Sequence, residues 1–480
     1  MPARLHRLPG TDSVEEAARM LPVARRTEVL VLGGGVAGLS AALAAAKLGA
    51  EVLLIERGNC LGGTATAGMM ALFYTPYRCA HSTPKEIFDR LIAEGGAFPG
   101  EVISVDHEAF KTVALEMATE RNVRLLFHTT CADVVMDGNR LRGIVIEGKD
   151  GRQAVLADVV IDASGDGDIA ARAGAPMSKG RDSDSKMRPM TLLFRMGGVD
   201  VGAMLEYVRG NPEEFSKDPN QMLLDVAGKN IRIFGFFGLV QRAKQQGYLY
   251  DDCHYFRVES VFPERGSLLV NTIRIYGVDG TQAEDVTRAE IEGRRQQKLL
   301  LRFARDFLPG FATAYILDSA SHIGVRETRR IIGDYVLTEE DIVDGARFPD
   351  TIGVDSNRQN PKGFRHSPDG KEGSAEDIET REWVADLFTY EIPYRCLIPQ
   401  RIDGLIVAGR AISSNHAADG YTRNQPACMV TGQAAGAAAA LCARLDVEPR
   451  ALDVATLQAA LRQLDAKLRA DELRVDELRA

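Results

Sequence analysis

The sequence predicts an α/β protein in which a parallel-sheet domain is split along the chain and carries an inserted α+β region. Three stretches predict it. Residues 28–56 run apolar, glycine-rich, alanine-rich and apolar again; residues 123–161 hold a series of short β-branched segments; residues 404–445 return to a buried-strand pattern followed by a small-residue run. Bulk composition agrees, since 45% of the 480 residues are hydrophobic and 26% charged, enough apolar material for a large core. The 58 basic and 67 acidic side chains give a formal charge of −9. That removes any broad electrostatic attraction to nucleic acid or an anionic membrane and leaves a small molecule as the expected partner.

In chain order, residues 1–26 read as a leader or arm. Met1 to Arg7 is basic, but Leu8, Pro9, Gly10 and polar residues follow, so the apolar centre of a signal peptide is missing. Val14 to Leu21 is an amphipathic patch suited to a short helix or an arm lying on the body. Residues 27–180 read as the first part of the sheet domain. Val29–Leu32 is a strand, the alanine-rich segment to Leu48 a helix stopped at Gly49, and Val52–Ile55 a second, parallel strand. Arg25 and Arg26 ahead of Val29–Ala46 imitate a twin-arginine export signal or a short membrane span, but glycines at 33, 34, 35 and 38 interrupt that stretch. Val123–Phe127, Arg142–Ile146 and Val155–Ile161 follow as strands of a meander, with turns at Asp137-Gly138-Asn139 and Lys149-Asp150-Gly151.

Residues 181–395 are mixed, with a helix expected over Ala289–Phe307 and polar loops from Pro349 to Asp377, and read as a substrate-facing cap. Residues 396–445 return to the sheet domain through a strand at Gly404–Ala408, a glycine-containing loop and a helix over Pro426–Leu445. Residues 446–480 read as a charged amphipathic helical tail that packs on the surface or on a second copy, which would make a homo-oligomer. The 7 cysteines, at 60, 79, 131, 253, 396, 428 and 442, contain no CxxC pair, as expected of reduced thiols in a cytoplasmic protein.

Chemistry concentrates in the first strand–helix turn. Gly33, Gly35 and Gly38 spell GxGxxG after a strand and at the opening of a helix, the context a Rossmann dinucleotide fold requires. Gly33 permits the tight turn, Gly35 lets a diphosphate approach the backbone beside Val36 and Ala37, and Gly38 brings helix and strand close. The helix N-terminus then offers amides and partial positive charge. Glu56 ends the second strand 21 residues after Gly35 (56 − 35), where a carboxylate accepts hydrogen bonds from a ribose diol, with Arg57 next to it. Gly62-Gly63-Thr64 then supplies a second glycine pair suited to a chain crossing an extended dinucleotide, which an NAD-only dehydrogenase does not usually need.

Together these residues resemble the FAD-binding proteins of glutathione-reductase-like fold, which implies a Rossmann-type FAD-binding domain with an inserted α+β substrate/cap domain, and FAD as cofactor. Thr130-Cys131-Ala132-Asp133 is similar to the family stretch whose backbone meets the adenine, so Cys131 would act through its main chain. Val160 to Asp168 resembles the strand that ends in Ala-Thr-Gly, with Ser164 in place of Thr, which implies cofactor contacts at Ala163 and Gly165. Gly404 to Arg410 resembles the second flavin motif, through Gly409, with Arg410 standing where many relatives have Asp. Val325–Arg330, Gly333-Asp334-Tyr335, Ala408–Ile412, Asn424-Gln425-Pro426 and Thr431–Gly436 extend the resemblance to FAD-dependent oxidoreductases related to the flavin-binding component of heterodisulfide reductase, over roughly residues 23–445. The iron–sulfur clusters of some relatives need closely spaced cysteines, which this chain lacks, and no metal is expected. The helix from Pro426, with Gln425 at its opening, would point its N-terminus at the pyrimidine edge of the flavin, while Gly432 and Gly436 suit close packing.

His322, Arg326, Arg329, Tyr394, Arg395, His416, Tyr421 and Arg423 fall in the segments expected to line the reactive face, and His416, Arg326, His322 and Tyr421 are the candidate catalytic set. Arg326 and Arg329 suit either a bidentate grip on a substrate carboxylate or ion pairs with Glu327 or Asp334. His416, between Gly409 and Gly420, suits a base or donor near flavin N5, or a structural role. His81 carries the same two readings. Cys60 precedes the glycine pair without a second cysteine placed to form a redox disulfide. The expected function is hydride transfer between a small organic substrate and flavin N5. The alternatives are a flavoprotein with a net non-redox reaction, such as an elimination or isomerisation, and an FAD-binding electron-transfer protein that serves a larger complex.

Overall fold

Strand formation begins before the apolar run: in the computed structural model, Val23–Leu32 (β1) is one strand, followed by helix Val36–Lys47 (α1) and strand Val52–Ile55 (β2). The structure describes residues 6–7, 14–15, 18–70, 72–74, 81–98, 102–217, 222–225, 230–260, 265–357, 367–370 and 388–472. Cys79 lies outside these, as does half of the leader (residues 1–26), where the two short strands His6–Arg7 and Val14–Glu15 pair. Val14 therefore begins a strand, not the helix that was one reading of its patch.

Arg124–Leu126 (β3), Thr130–Asp137 (β4), Arg140–Gly148 (β5) and Gly151–Asp162 (β6) complete the first half of the main sheet. Its order is β3-β2-β1-β6-β5-β4. Strand β6 serves two partners: residues 151–156 run antiparallel to β5, and residues 154–162 run parallel to β1. The parallel half is thus β3, β2, β1 and the end of β6, and the meander fans off its other edge. The expected strands are present, but β3 pairs parallel with β2 at the far edge of the sheet and is not part of the meander, where the unexpected β4 takes its place; Val134-Val135-Met136 before the Asp137-Gly138 turn is the signal for β4.

A second, antiparallel sheet follows. Phe194–Gly197 (β7), Leu223–Asp225 (β8), Asn230–Gly235 (β9), Phe256–Ser260 (β10), Leu268–Val270 (β11) and, after helix Ala283–Phe307 (α2), Tyr315–Ser319 (β12) stand in the order β8-β9-β10-β11-β7-β12. One face packs Phe194, Ile231, Ile233, Val258 and Val270 against Leu300, Phe303 and Ala304 of α2. Helix α2 starts six residues before its expected position, with Glu284 and Asp285 in the first turn complementing the helix dipole. Thr351–Asn357, expected as loop, is a strand paired with Phe388–Pro393; residues 358–366 and 371–377 of that loop lie outside the described residues.

Leu405–Val407 (β13) rejoins the main sheet parallel to the end of β6, and Gln425–Leu445 (α3) packs across α1. A Cβ at Gly432 would stand 2.1 Å from Ala37 O, and one at Gly436 2.0 Å from Ala41 O, so the two helices meet backbone to backbone. Helix α3 is long and apolar enough to cross a bilayer, and here that apolarity lies in the core, 94% of its most apolar window being buried. In the tail, Val454–Gln463 is helical, and its Leu457 and Leu461 pack into this chain's own main core; residues 473–480 lie outside the described residues.

Candidate functional site

A cavity of about 590 Å³ lies between the two sheets, within the range of small-molecule and cofactor sites. Its floor is the β1–α1 turn. Gly33 has φ +99°, and a Cβ there would stand 2.4 Å from Ala163 O; a Cβ at Gly38 would stand 1.8 Å from Gly33 O. The fold itself demands those two glycines. Gly35 is different: its φ of −63° suits any residue, and no atom lies within 4 Å of where its Cβ would be. Its backbone opens onto the cavity, and no side chain caps the first turn of α1, which leaves that turn able to accept an anionic ligand. Gly62 N donates to Gly34 O at 2.8 Å, and Gly63 comes so close that its Cβ would stand 2.8 Å from Gly35 Cα, which lays both glycine segments into one main-chain cradle. Glu56 accepts from Gly34 N and Gly58 N, both at 2.6 Å, and is held at the cradle's edge. An extended diphosphate fits this cradle, because small residues and a helix N-terminus free of side-chain caps are what it needs.

Val36, Ala37, Glu56, Arg57, Gly63 and Thr64 line the cavity with Gly33 and Gly35. So do Ala163 and Gly165 after β6, and Gly409, Arg410 and Gln425. Arg410 Nε donates to Gly165 O at 2.9 Å, and its other nitrogens bind Val325 O and Asp166, so the guanidinium ties three loops together. Gln425 Nε2 donates to Met70 O at 2.7 Å, while its Oε1 is buried without a partner. Gly38 and Gly62 are not among the lining residues; they shape the floor from beneath. Cys131 is not among them either: it lies near the start of β4, its thiol pushed up to about 12 by burial, and His128 is the lining residue nearest to it in sequence.

The opposite wall comes from the second sheet and the loop after β12. Thr191, Leu193, Arg257 and Asn271 line it with His322 and Arg326. His322 Nδ1 sits 3.1 Å from Ile323 O, and burial holds its imidazole below the usual histidine range. Arg326 Nη1 donates to Pro189 O at 2.5 Å, and Arg257 Nε pairs with Glu259 at 2.7 Å.

Two of the four candidate catalytic residues lie elsewhere. His416 opens the helix His416–Thr422, with Nδ1 2.8 Å from Glu327 Oε1, and is not among the lining residues. Glu327 is buried and needs counter-charges; Arg188 N donates to its Oε2 at 3.1 Å and Arg330 pairs with Oε1. Burial alone would raise the Glu327 carboxyl, but the His416 hydrogen bond and the Arg188 and Arg330 cations outweigh it and hold it at about 2. Tyr421 packs in the core, its ring centroid 6.3 Å from that of Tyr390. Tyr394 is buried with its hydroxyl on Pro449 O, and Arg395 pairs with Asp350, both away from the cavity. Arg329 is claimed by Asp166 O at 2.8 Å and by Asp168, an ion pair with a different acid from those expected. His81 is buried and is not among the lining residues, whereas Cys60 and Arg423 are.

Sequence reasoning missed Arg257, Asn271 and the buried Arg188–Glu327–Asp419 group. In β10, Phe256-Arg257-Val258-Glu259 alternates apolar with charged, which reads as a solvent face. Here that face looks into the cavity.

Known proteins are similar to parts of this sequence. Digeranylgeranylglycerophospholipid reductase 2 of Methanothermobacter thermautotrophicus is 30% identical over 196 residues, 36% of this chain and 48% of that protein. The thiamine thiazole synthase of Aeropyrum pernix is 28% identical over 176 residues, 34% of this chain and 63% of its own length. The chain thus spans about half to under two thirds of these curated relatives. Among solved structures, a geranylgeranyl bacteriochlorophyll reductase-like protein from Thermoplasma acidophilum is 15% identical, with 95% of both chains covered and a TM-score of 0.44. The family model described as FAD dependent oxidoreductase matches residues 28–461, from the first parallel strand to the C-terminal helix. The chain belongs to the FAD dependent oxidoreductase family, with FAD as its cofactor.

Proposed function

We propose that this enzyme transfers hydride between a carbon of a small organic substrate and flavin N5, the substrate lying between the β1–α1 turn and the second sheet. FAD, when bound, supplies the two-electron acceptor or donor. The observation that carries the reading is Gly35, open to a cavity of about 590 Å³ with nothing within 4 Å of its missing side chain. We assign the diphosphate to the amides of Gly35, Val36 and Ala37, the ribose to Glu56, and the remaining cofactor contacts to Gly33, Arg57, Gly63, Thr64, Ala163, Gly165, Gly409, Arg410 and Gln425. We assign His322 and Arg326, which line the second wall of the cavity, to the substrate side. With Nδ1–H donated to Ile323 O, His322 would present Nε2 as a proton acceptor. The linked motifs at 325–335 and 408–436 support placement in the glutathione-reductase-like group related to the flavin-binding component of heterodisulfide reductase. The six described cysteines are unpaired, which supports a cytoplasmic location.

The test is the absorption spectrum of the purified protein, followed by anaerobic addition of candidate substrates. A flavin spectrum with lasting bleaching is expected. A protein that never takes up FAD sinks the cofactor assignment, and transient bleaching with full recovery sinks net hydride transfer.

A further inference from the structure

The cavity holds a cation that no described carboxylate pairs with. Arg423 lines it in the segment between the helix His416–Thr422 and α3. Its Nε is buried without a hydrogen-bond partner, and no described carboxylate forms an ion pair with it. Of the two acids in electrostatic reach, Asp419 gives Oδ2 to Arg188 Nε at 3.2 Å while its Oδ1 is buried without a hydrogen-bond partner and forms no ion pair with Arg423, and Glu327 is committed to Arg188, Arg330 and His416. Burial pushes the Arg423 guanidinium down to about 10, the Arg188 and Arg410 cations add to this, and Asp419 and Glu327 only partly offset it. A cation placed so is costly unless an anion arrives.

The second wall adds a cation of its own, one whose Nε is held by Glu259. Arg257 and Asn271 reach the same cavity from the antiparallel sheet, and the Met70 segment joins the two sides: Gln425 Nε2 donates to Met70 O at 2.7 Å, and Asn271 Nδ2 lies 3.8 Å from Met70 Sδ. The α1 amides would hold the anionic diphosphate of FAD, and the N-terminus of α3 would serve the flavin ring. Arg423 is left for the substrate, with Arg257 on the second wall of the same cavity.

We propose that the substrate is an organic acid, its carboxylate gripped by Arg423 from the α3 side and met by Arg257 from the second sheet. The inference rests on the flavoenzyme reading of the same cavity. A planar guanidinium fork meets a carboxylate with two parallel hydrogen bonds, a geometry a neutral amide cannot reproduce.

The FAD-loaded protein is titrated calorimetrically with acetate, succinate and benzoate, and separately with acetamide, succinamide and benzamide. At least one carboxylate is expected to bind about tenfold or more tightly than its amide, and Arg423→Met to weaken that carboxylate about tenfold or more with flavin content unchanged. Arg423→Lys should fall between the two. Equal binding of acid and amide, or no carboxylate binding by FAD-loaded wild type, overturns the proposal, and neither depends on a variant that folds. Loss of flavin from folded Arg423→Met also overturns it, because the cation then serves the cofactor. Wild-type protein that takes up no FAD refutes the functional reading instead.

Discussion

Replacing Gly35 with alanine separates the fold from the cofactor. The new methyl meets no atom within 4 Å, and φ −63° is ordinary for alanine. Losing glycine at the helix N-cap costs about 0.5–1 kcal/mol, and the smaller entropy of the unfolded chain returns about 0.4–1 kcal/mol. The apoprotein should therefore melt within about 2 °C of wild type. The methyl does, however, fill the one part of the cradle the protein leaves open. A diphosphate pushed off the α1 amides loses one or two charge-assisted hydrogen bonds, together about 3 kcal/mol, or a Kd for FAD about 100-fold weaker. Quenching of FAD fluorescence on titration with apoprotein measures that constant, and circular dichroism follows the melt. FAD affinity within about twofold of wild type would refute the assignment of the cradle. A fall in melting temperature of more than about 5 °C would show that Gly35 serves the fold instead.

The other glycines and the buried acid give the opposite pattern. Gly432→Ala puts a methyl 2.1 Å from Ala37 O, so α1 and α3 must part, and urea unfolding should show a loss of about 2–3 kcal/mol; an unchanged midpoint would mean the helices do not touch there. Glu327 is held at about 2 against an ordinary 4.5, so its stabilisation is complete above 4.5 and lost as pH falls through about 2. That amounts to about 3 kcal/mol, and Glu327→Gln should both destabilise the protein at neutral pH and flatten the acid limb of its stability profile. Parallel acid limbs in the two proteins would contradict the network.

Much of the nucleotide half was legible because its signals are local. A strand, a glycine turn, a helix and an acid at the next strand's end are neighbours in sequence, and backbone sterics alone explain Gly33. The same holds for β13 and α3, where strand length and small residues carry the pattern. The candidate catalytic set was harder to read. His416 lies eight residues (424 − 416) and Tyr421 three residues (424 − 421) before the lining residue Asn424, yet they face Glu327 and the core. A helix turning about 100° per residue makes proximity in sequence a poor guide to direction.

What the sequence determines by itself is the set of short-range geometries: the glycines a tight turn requires, the strand and helix periods, and an acid 21 residues beyond Gly35. Only the tertiary structure decided which charges look into the cavity. Arg257 and Arg423 stand 166 positions apart in the chain (423 − 257), Arg257 in a segment whose local pattern reads as solvent-facing and Arg423 in one expected at the reactive face, and no local pattern links the two. They line one cavity because the second sheet closes over the first, and whether a charge is paired or stranded depends on what long-range packing sets beside it.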